Sequence, residues 1–188
     1  MIAAGAEIVA AMAGVIRLWG GNASAFLAFD RSLPGFWRSY TAAVIGAPIH
    51  ALLLIVSREE AAGPLASVHD AAIEAITYMT TWVAYPLLVT QIVKRLDRED
   101  RFFDYMVPYN WAALAQLVLF TTAAAVRLAL PGFLGSVLML VAIAAVLHLQ
   151  WFIAREGLAV TGRVAFLVVL SDISLSLMIG GLADYLKA

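Results

Sequence analysis

The chain has 188 residues, of which 63% are hydrophobic and 13% charged, and its mean hydropathy is +0.91. Soluble domains carry about 25% charged residues, so this is the composition of a polytopic membrane protein. A net charge of −1 argues against nucleic acid as a partner, and the lack of cysteine excludes a disulfide framework, a thiolate nucleophile and a Cys-ligated metal.

Residues 1–20 are apolar and rich in small side chains. On a helical wheel Ala3, Glu7, Ala10, Gly14 and Arg17 share one side, and Ile8, Val9, Met12, Val15, Ile16 and Trp19 share the other. That period predicts an amphipathic helix lying in the membrane interface, with a sixth span as the competing reading. No Lys or Arg precedes the stretch and Glu7 lies within it, so Ala23-Ser24-Ala25 is not expected to be a signal-cleavage site. Gly20, Gly21 and Asn22 end the segment.

Residues 22–38 mix Asp30, Arg31 and Arg38 with Phe26, Phe29, Phe36 and Trp37. Ser32 before Pro34 marks a helix start, because proline is tolerated in a first turn. The first span is expected from Ser39 to Ser57, kinked at Pro48. A loop with Arg58, Glu59, Glu60 and Gly63-Pro64 follows. Ser67 and Asp70 have the spacing of a capping box, so the second helix should start there and run to about Val93, through Pro86. The remaining spans are expected at Val107–Leu130, Phe133–Ala154 and Arg163–Leu186, separated by the 94–106 loop, the Pro131-Gly132 turn and a short loop at Gly157–Gly162. The organisation is thus an N-terminal amphipathic and juxtamembrane segment, 1–38, and a five-helix transmembrane domain, 39–188.

Lysine and arginine set the orientation. Arg17, Arg31, Arg38, Lys94, Arg95, Arg98, Arg101, Arg155 and Arg163 fall on one side, and Arg58, Arg127 and Lys187 on the other. This predicts a cytoplasmic N-terminus and an external C-terminus, in a bacterial inner membrane. The block Lys94–Trp111 is the cytoplasmic anchor. Asp97, Glu99, Asp100 and Asp104 balance its cations, so it reads as a self-paired turn rather than a lipid-binding patch. Its tail, Tyr105 to Trp111, reads as an aromatic rim where a cytoplasmic partner would be met.

The five-span, N-inside plan, with SLPGFWRSY approaching the first span and DYMVPYNW entering the third, resembles the Yip-domain family of membrane proteins over about residues 25–188. The resemblance implies a protein that acts through helix packing and partner contacts, with no catalytic residues and no cofactor. Eukaryotic members are tied to Rab GTPases and membrane traffic, a role that a bacterial chain would not inherit. The opening from Phe29 to Ser39 also resembles bacterial inner-membrane proteins with an FDRSLxGFWRS pattern, which imply no activity.

An ionisable group within a span costs about 2.5–3.5 kcal/mol on insertion scales, so each one asks for a reason. Asp172 sits nine residues into the fifth span, roughly 13 Å along it. With Ser176 and Gly180 it forms a small-polar series at every fourth residue. It reads either as a protonatable site in a proton or cation pathway or as a hydrogen-bonded lock between helices. His50, roughly 16 Å along the first span, is its candidate partner. The alternative for His50 is a hydrogen bond near the carbonyl that Pro48 releases. Glu74 and Arg127 are expected as a structural ion pair at the outer end, and Asn110, Gln91 and His148 as an inner-end polar cluster. Three histidines without a carboxylate cluster form no recognisable metal site. Glu59-Glu60 lacks the arginine that an intramembrane CAAX-type protease requires, since position 64 is Pro64, and no P-loop, HExxH or Gly-x-Ser-x-Gly motif is present.

The reading is therefore an all-α bundle of five transmembrane helices plus an N-terminal amphipathic interfacial helix. Its favoured role is non-enzymatic. The alternatives are a proton-linked small-solute transporter or channel subunit using Asp172 and His50, and an accessory subunit of a larger membrane complex. The bilayer is the expected surrounding, with a homo-oligomer or another membrane protein as partner.

Overall fold

The computed structural model describes residues 3–56, 67–130 and 132–187. Ser57, Arg58, the Glu59-Glu60 pair, the Gly63-Pro64 turn and Pro131 lie outside the described residues. Seven α-helices follow one another: α1 (Gly5–Trp19), α2 (Leu33–Ser39), α3 (Thr41–Val56), α4 (Val68–Arg95), α5 (Phe102–Ala129), α6 (Phe133–Gly157) and α7 (Gly162–Lys187). Short 3₁₀ turns at Ala23–Ala28 and Glu99–Arg101 complete the order, and no strand occurs among the described residues. Five stretches are long and apolar enough to cross a membrane: α2 with α3, the 3₁₀ turn Glu99–Arg101 with α5, and α4, α6 and α7 singly. The protein is an all-α helical bundle. α1, at 15 residues, is not among the five.

Local chemistry sets the helix starts. Ser67 Oγ accepts from the Asp70 amide while the Asp70 carboxylate accepts from the Ser67 amide, closing the predicted capping box. Ser32 caps α2 by accepting from the Gly35 amide, with Pro34 in the first turn. The first span therefore begins at Leu33, six residues before Ser39, and position 38–39 falls inside α2 rather than between two units. α5 likewise begins at Phe102, five residues before Val107, so Pro108 lies inside the helix rather than at its entry.

α5 is the central helix and packs on α1, α2, α3 and α6, whereas α4 packs mainly on α7. Tyr105, Met106, Val107 and Trp111 are each at most 2% exposed. The expected aromatic rim is thus the middle of the core. Its cover is the N-terminal segment, which comes back over it. Ala11, Gly14, Val15 and Leu18 of α1 are buried, while Val9 and Ile16 face outward. Gly14, placed by the wheel on the polar side, faces inward: a Cβ there would stand 2.8 Å from the Phe29 ring. Trp19 donates from Nε1 to the Ala145 carbonyl of α6 at 2.8 Å.

Charge ties this segment down at the end of the bundle that holds the 94–101 turn, called the basic end below. Arg38 Nε reaches both Glu7 carboxylate oxygens at 3.0 and 2.9 Å, and its Nη2 bonds Asp30. Asp104 accepts from Arg101 at 3.1 Å and pairs with Arg31 at 3.0 Å. The turn is therefore only partly self-paired, because Asp104 also holds Arg31 of the N-terminal segment.

Candidate functional site

Asp172 points into the bundle and is 6% exposed. Tyr109 of α5 donates its hydroxyl to Asp172 Oδ2 at 2.7 Å, and Gln150 of α6 donates to the same oxygen at 3.2 Å. Gln150 Nε2 also lies 3.4 Å from Gln116 Oε1 of α5. Three helices meet on one carboxyl group. α4 joins through Tyr85, whose hydroxyl is 2.5 Å from that of Tyr105 and whose ring lies 4.6 Å from that of Tyr109, centroid to centroid. The sequence carried this signal: Tyr105 and Tyr109, one turn apart, stand on the same face of α5.

Ser176 is exposed and a Cβ at Gly180 would meet nothing within 4 Å, so only the first member of that small-polar series faces inward. Steps of four residues on a 3.6-residue helix rotate about 40° each, which carries Gly180 off the face that Asp172 occupies.

His50 does not pair with Asp172. Asn110 Nδ2 donates to Ser39 Oγ at 2.8 Å, which sets Ser39 level with a residue eight positions into α5. The first span is thus shifted outward, and His50 stands roughly 10 Å farther from the basic end than Asp172, by rise per residue. Nor does His50 serve the backbone near Pro48. Tyr78 donates instead to the Ala43 carbonyl at 2.7 Å, one residue from the carbonyl that Pro48 releases. In return Tyr40 donates at 3.3 Å to the Trp82 carbonyl, which Pro86 leaves without its amide. His50 Nε2 is buried and has no hydrogen-bond partner among the described residues, and its ring lies 4.9 Å from that of Tyr78.

His50 borders a cleft with two adjoining lobes. The inner lobe, about 240 Å³, lies between α3, α4 and α5 and is walled by Tyr78, Trp82, Tyr85 and Tyr109. The outer lobe, about 550 Å³, lies between α3 and α4, and Ala43, Ala47, Ala51, Ala71 and Ala75 are among the residues that line it. His50, Glu74 and Tyr78 touch both.

Glu74 binds Lys187 of α7, not Arg127. The Arg127 stem lies against the start of α6, where its Cγ is 3.1 Å from the place a Cβ would take on Gly135. The reason is helix order: α4 packs on α7 rather than closely on α5, its next helix in sequence. Asp184 also pairs with Lys187, at 3.6 Å. Lys187→Met should lower the melting midpoint in detergent by the equivalent of about 1–3 kcal/mol, since it strands a mostly buried carboxylate, and Glu74→Gln in the same chain should restore most of the loss. A double variant no more stable than the single one would remove the pair as a clamp.

The inner-end polar cluster does not form. Asn110 is buried on Ser39, Gln91 is exposed and bonds only its neighbour Thr90, and His148 is exposed beside Trp151, at a ring separation of 6.3 Å. The three residues lie on three different helix faces. Among the described residues, no group of three or more His, Cys, Asp or Glu side chains is arranged to hold a metal. The chain matches no protein-family model, no curated protein and no solved structure.

Proposed function

We propose that the chain is a non-enzymatic integral membrane protein that reversibly binds a small, bilayer-soluble molecule in the cleft between α3, α4 and α5. The observation that supports this is the cleft itself, which His50, Glu74 and Tyr78 border in both lobes. The cleft is concave and mostly apolar, with few polar groups, as ligand sites are. Asp172, by contrast, has partners on α5 and α6, which favours a helix lock over a transport site. A proton-linked pair of Asp172 and His50 has no support in geometry. The Yip-like reading is kept for the helical layout, without partner contacts at Tyr105–Trp111, which are core. An accessory-subunit role draws only on outward apolar side chains of α7 such as Leu177, Met178 and Leu182, which lipid would cover equally well.

The test is native mass spectrometry of the full chain released from membranes. A bound small molecule is expected on the wild type and not on Ala47→Phe, which fills the outer lobe. Equal occupancy of the two proteins would count against the cleft. We also propose that the N-terminus is cytoplasmic, in a bacterial inner membrane, since nine of the twelve Lys and Arg then lie inside. An alkaline phosphatase domain joined after Lys187 should be active; an inactive but intact fusion reverses the orientation.

A further inference from the structure

We propose that the groove between α6 and α7 at the basic end holds one acyl chain of an anionic glycerophospholipid, with the lipid phosphate between Arg155 and Arg163. This site is separate from the cleft of α3, α4 and α5 and does not rest on the reading above.

The groove encloses about 330 Å³, with Leu147, His148 and Trp151 of α6 on one wall and Phe166, Leu170 and Ile173 of α7 on the other. Apart from His148 the lining is apolar, because Trp151 Nε1 is spent on the Gly162 carbonyl at 2.9 Å. Phe166 and Leu170 are 60% and 45% exposed, so the groove lies on the outside of the bundle, where the bilayer stands.

Its length matches one leaflet. Arg163, Phe166, Leu170 and Ile173 follow at steps of three and four residues, so they share one face of α7. Between Phe166 and Ile173 the groove runs about 5–15 Å from the level of Arg163, at 1.5 Å per residue. The hydrocarbon core is ~30 Å thick, and one leaflet is therefore about 15 Å deep. An acyl chain whose head rests at Arg163 lies in the groove for the depth of its own leaflet.

Charge selects the head. Arg155 Cζ lies 5.4 Å from the centre of the Trp151 ring, at cation–π distance. The same ring lies against Gly162, where a Cβ would stand 3.1 Å from it. Arg155 and Arg163 thus belong to chain segments that meet on one indole at the mouth of the groove. Glu156 reaches Arg155 only at Nε, at 3.6 Å. Arg163 is exposed and forms no ion pair or side-chain hydrogen bond among the described residues. Two guanidiniums against one carboxylate leave the mouth cationic, and a guanidinium fork matches a pair of phosphate oxygens. A phosphatidylcholine head would bring its own cation beside these two, which like-charge repulsion disfavours; phosphatidylglycerol brings none.

The test uses the full chain in nanodiscs of equal parts dioleoyl phosphatidylglycerol and dioleoyl phosphatidylcholine, followed by native mass spectrometry. Wild type should retain one phosphatidylglycerol in preference to phosphatidylcholine, by about tenfold. Arg155→Gln with Arg163→Gln should remove the preference. Lys94→Gln with Arg95→Gln takes the same charge from the last turn of α4 and should leave it in place. Leu170→Trp, which fills the groove from an exposed position, should cut retention of either lipid without moving the melting midpoint. Glycerophosphate, the head without its chains, should not displace the lipid at millimolar concentration. Equal retention of the two lipids by the wild type overturns the anionic head. A preference lost as fully in the Lys94 and Arg95 variant assigns the attraction to the whole basic end and overturns the site. Retention that survives Leu170→Trp overturns the groove, and displacement by glycerophosphate makes this a site for soluble phosphate and overturns the lipid.

Discussion

Gly35→Ala should prevent the protein from reaching its folded state. A Cβ at Gly35 would stand 1.8 Å from the Asp30 carbonyl oxygen and 2.7 Å from the carbonyl carbon. Both are backbone atoms, so no rotamer change relieves the contact. The chain around Asp30 would have to move, and much depends on its place. Ser32 caps α2 from this loop, Asp30 bonds Arg38, and Arg31 holds Asp104. Overpacking costs about 1–3 kcal/mol, a lost cap adds about 1, and the ion pairs add more, so a total above roughly 3 kcal/mol is expected. In detergent extracts the variant should elute as aggregate where the wild type elutes as a single species. A variant that elutes and melts like the wild type would show that the Asp30 loop yields without loss.

At Asp172 the expected result is an order rather than a collapse. Asp172→Ala removes the acceptor shared by Tyr109 and Gln150 and leaves two donors stranded among apolar side chains. Stranded donors cost about 1–3 kcal/mol each in protein cores, while polar contacts between membrane helices average about 0.6. The alanine variant should thus lose roughly 1–4 kcal/mol. Asp172→Asn keeps an oxygen for Tyr109 at the same place and should lose less than about 1 kcal/mol. Thermal melting in one detergent should rank wild type above Asn above Ala. An alanine variant as stable as the wild type would remove Asp172 as the lock of α5, α6 and α7.

These two sites differ in how far they could be read ahead. Caps are local, so Ser32 with Pro34 and Ser67 with Asp70 were legible as helix starts. The spans were legible because a bilayer demands long apolar runs. Asp172 was legible as a polar group in such a run. Its partners were less so, because Tyr109 and Gln150 stand on different helices and only helix packing brings them near. The assumption that all spans start at one level gave His50 the wrong depth, since Ser39 sits beside Asn110 rather than at the bundle edge. The assumption that sequence neighbours pack together gave Glu74 the wrong partner. Aromatic residues at a span boundary are normally an interface belt. Here the N-terminal segment, held by Arg31 and Arg38, packs on α5, and Tyr105 and Trp111 are core. The clash at Gly35 depends on how the Asp30 loop folds back, which no spacing encodes.

The pairing of α4 with α7 has a consequence during synthesis. About ninety residues separate the end of α4 from Lys187, and at roughly 5–20 residues per second the ribosome needs some 5–20 s to deliver them. Throughout that interval α4, the least apolar of the five spans, is in the membrane without its main neighbour and with Glu74 lacking its cation. α5 and α6 can dock on each other at once, but the wall of the cleft that carries Tyr78 and Trp82 cannot settle until α7 arrives. The seam of α4 with α7 is therefore the last part of the bundle to close.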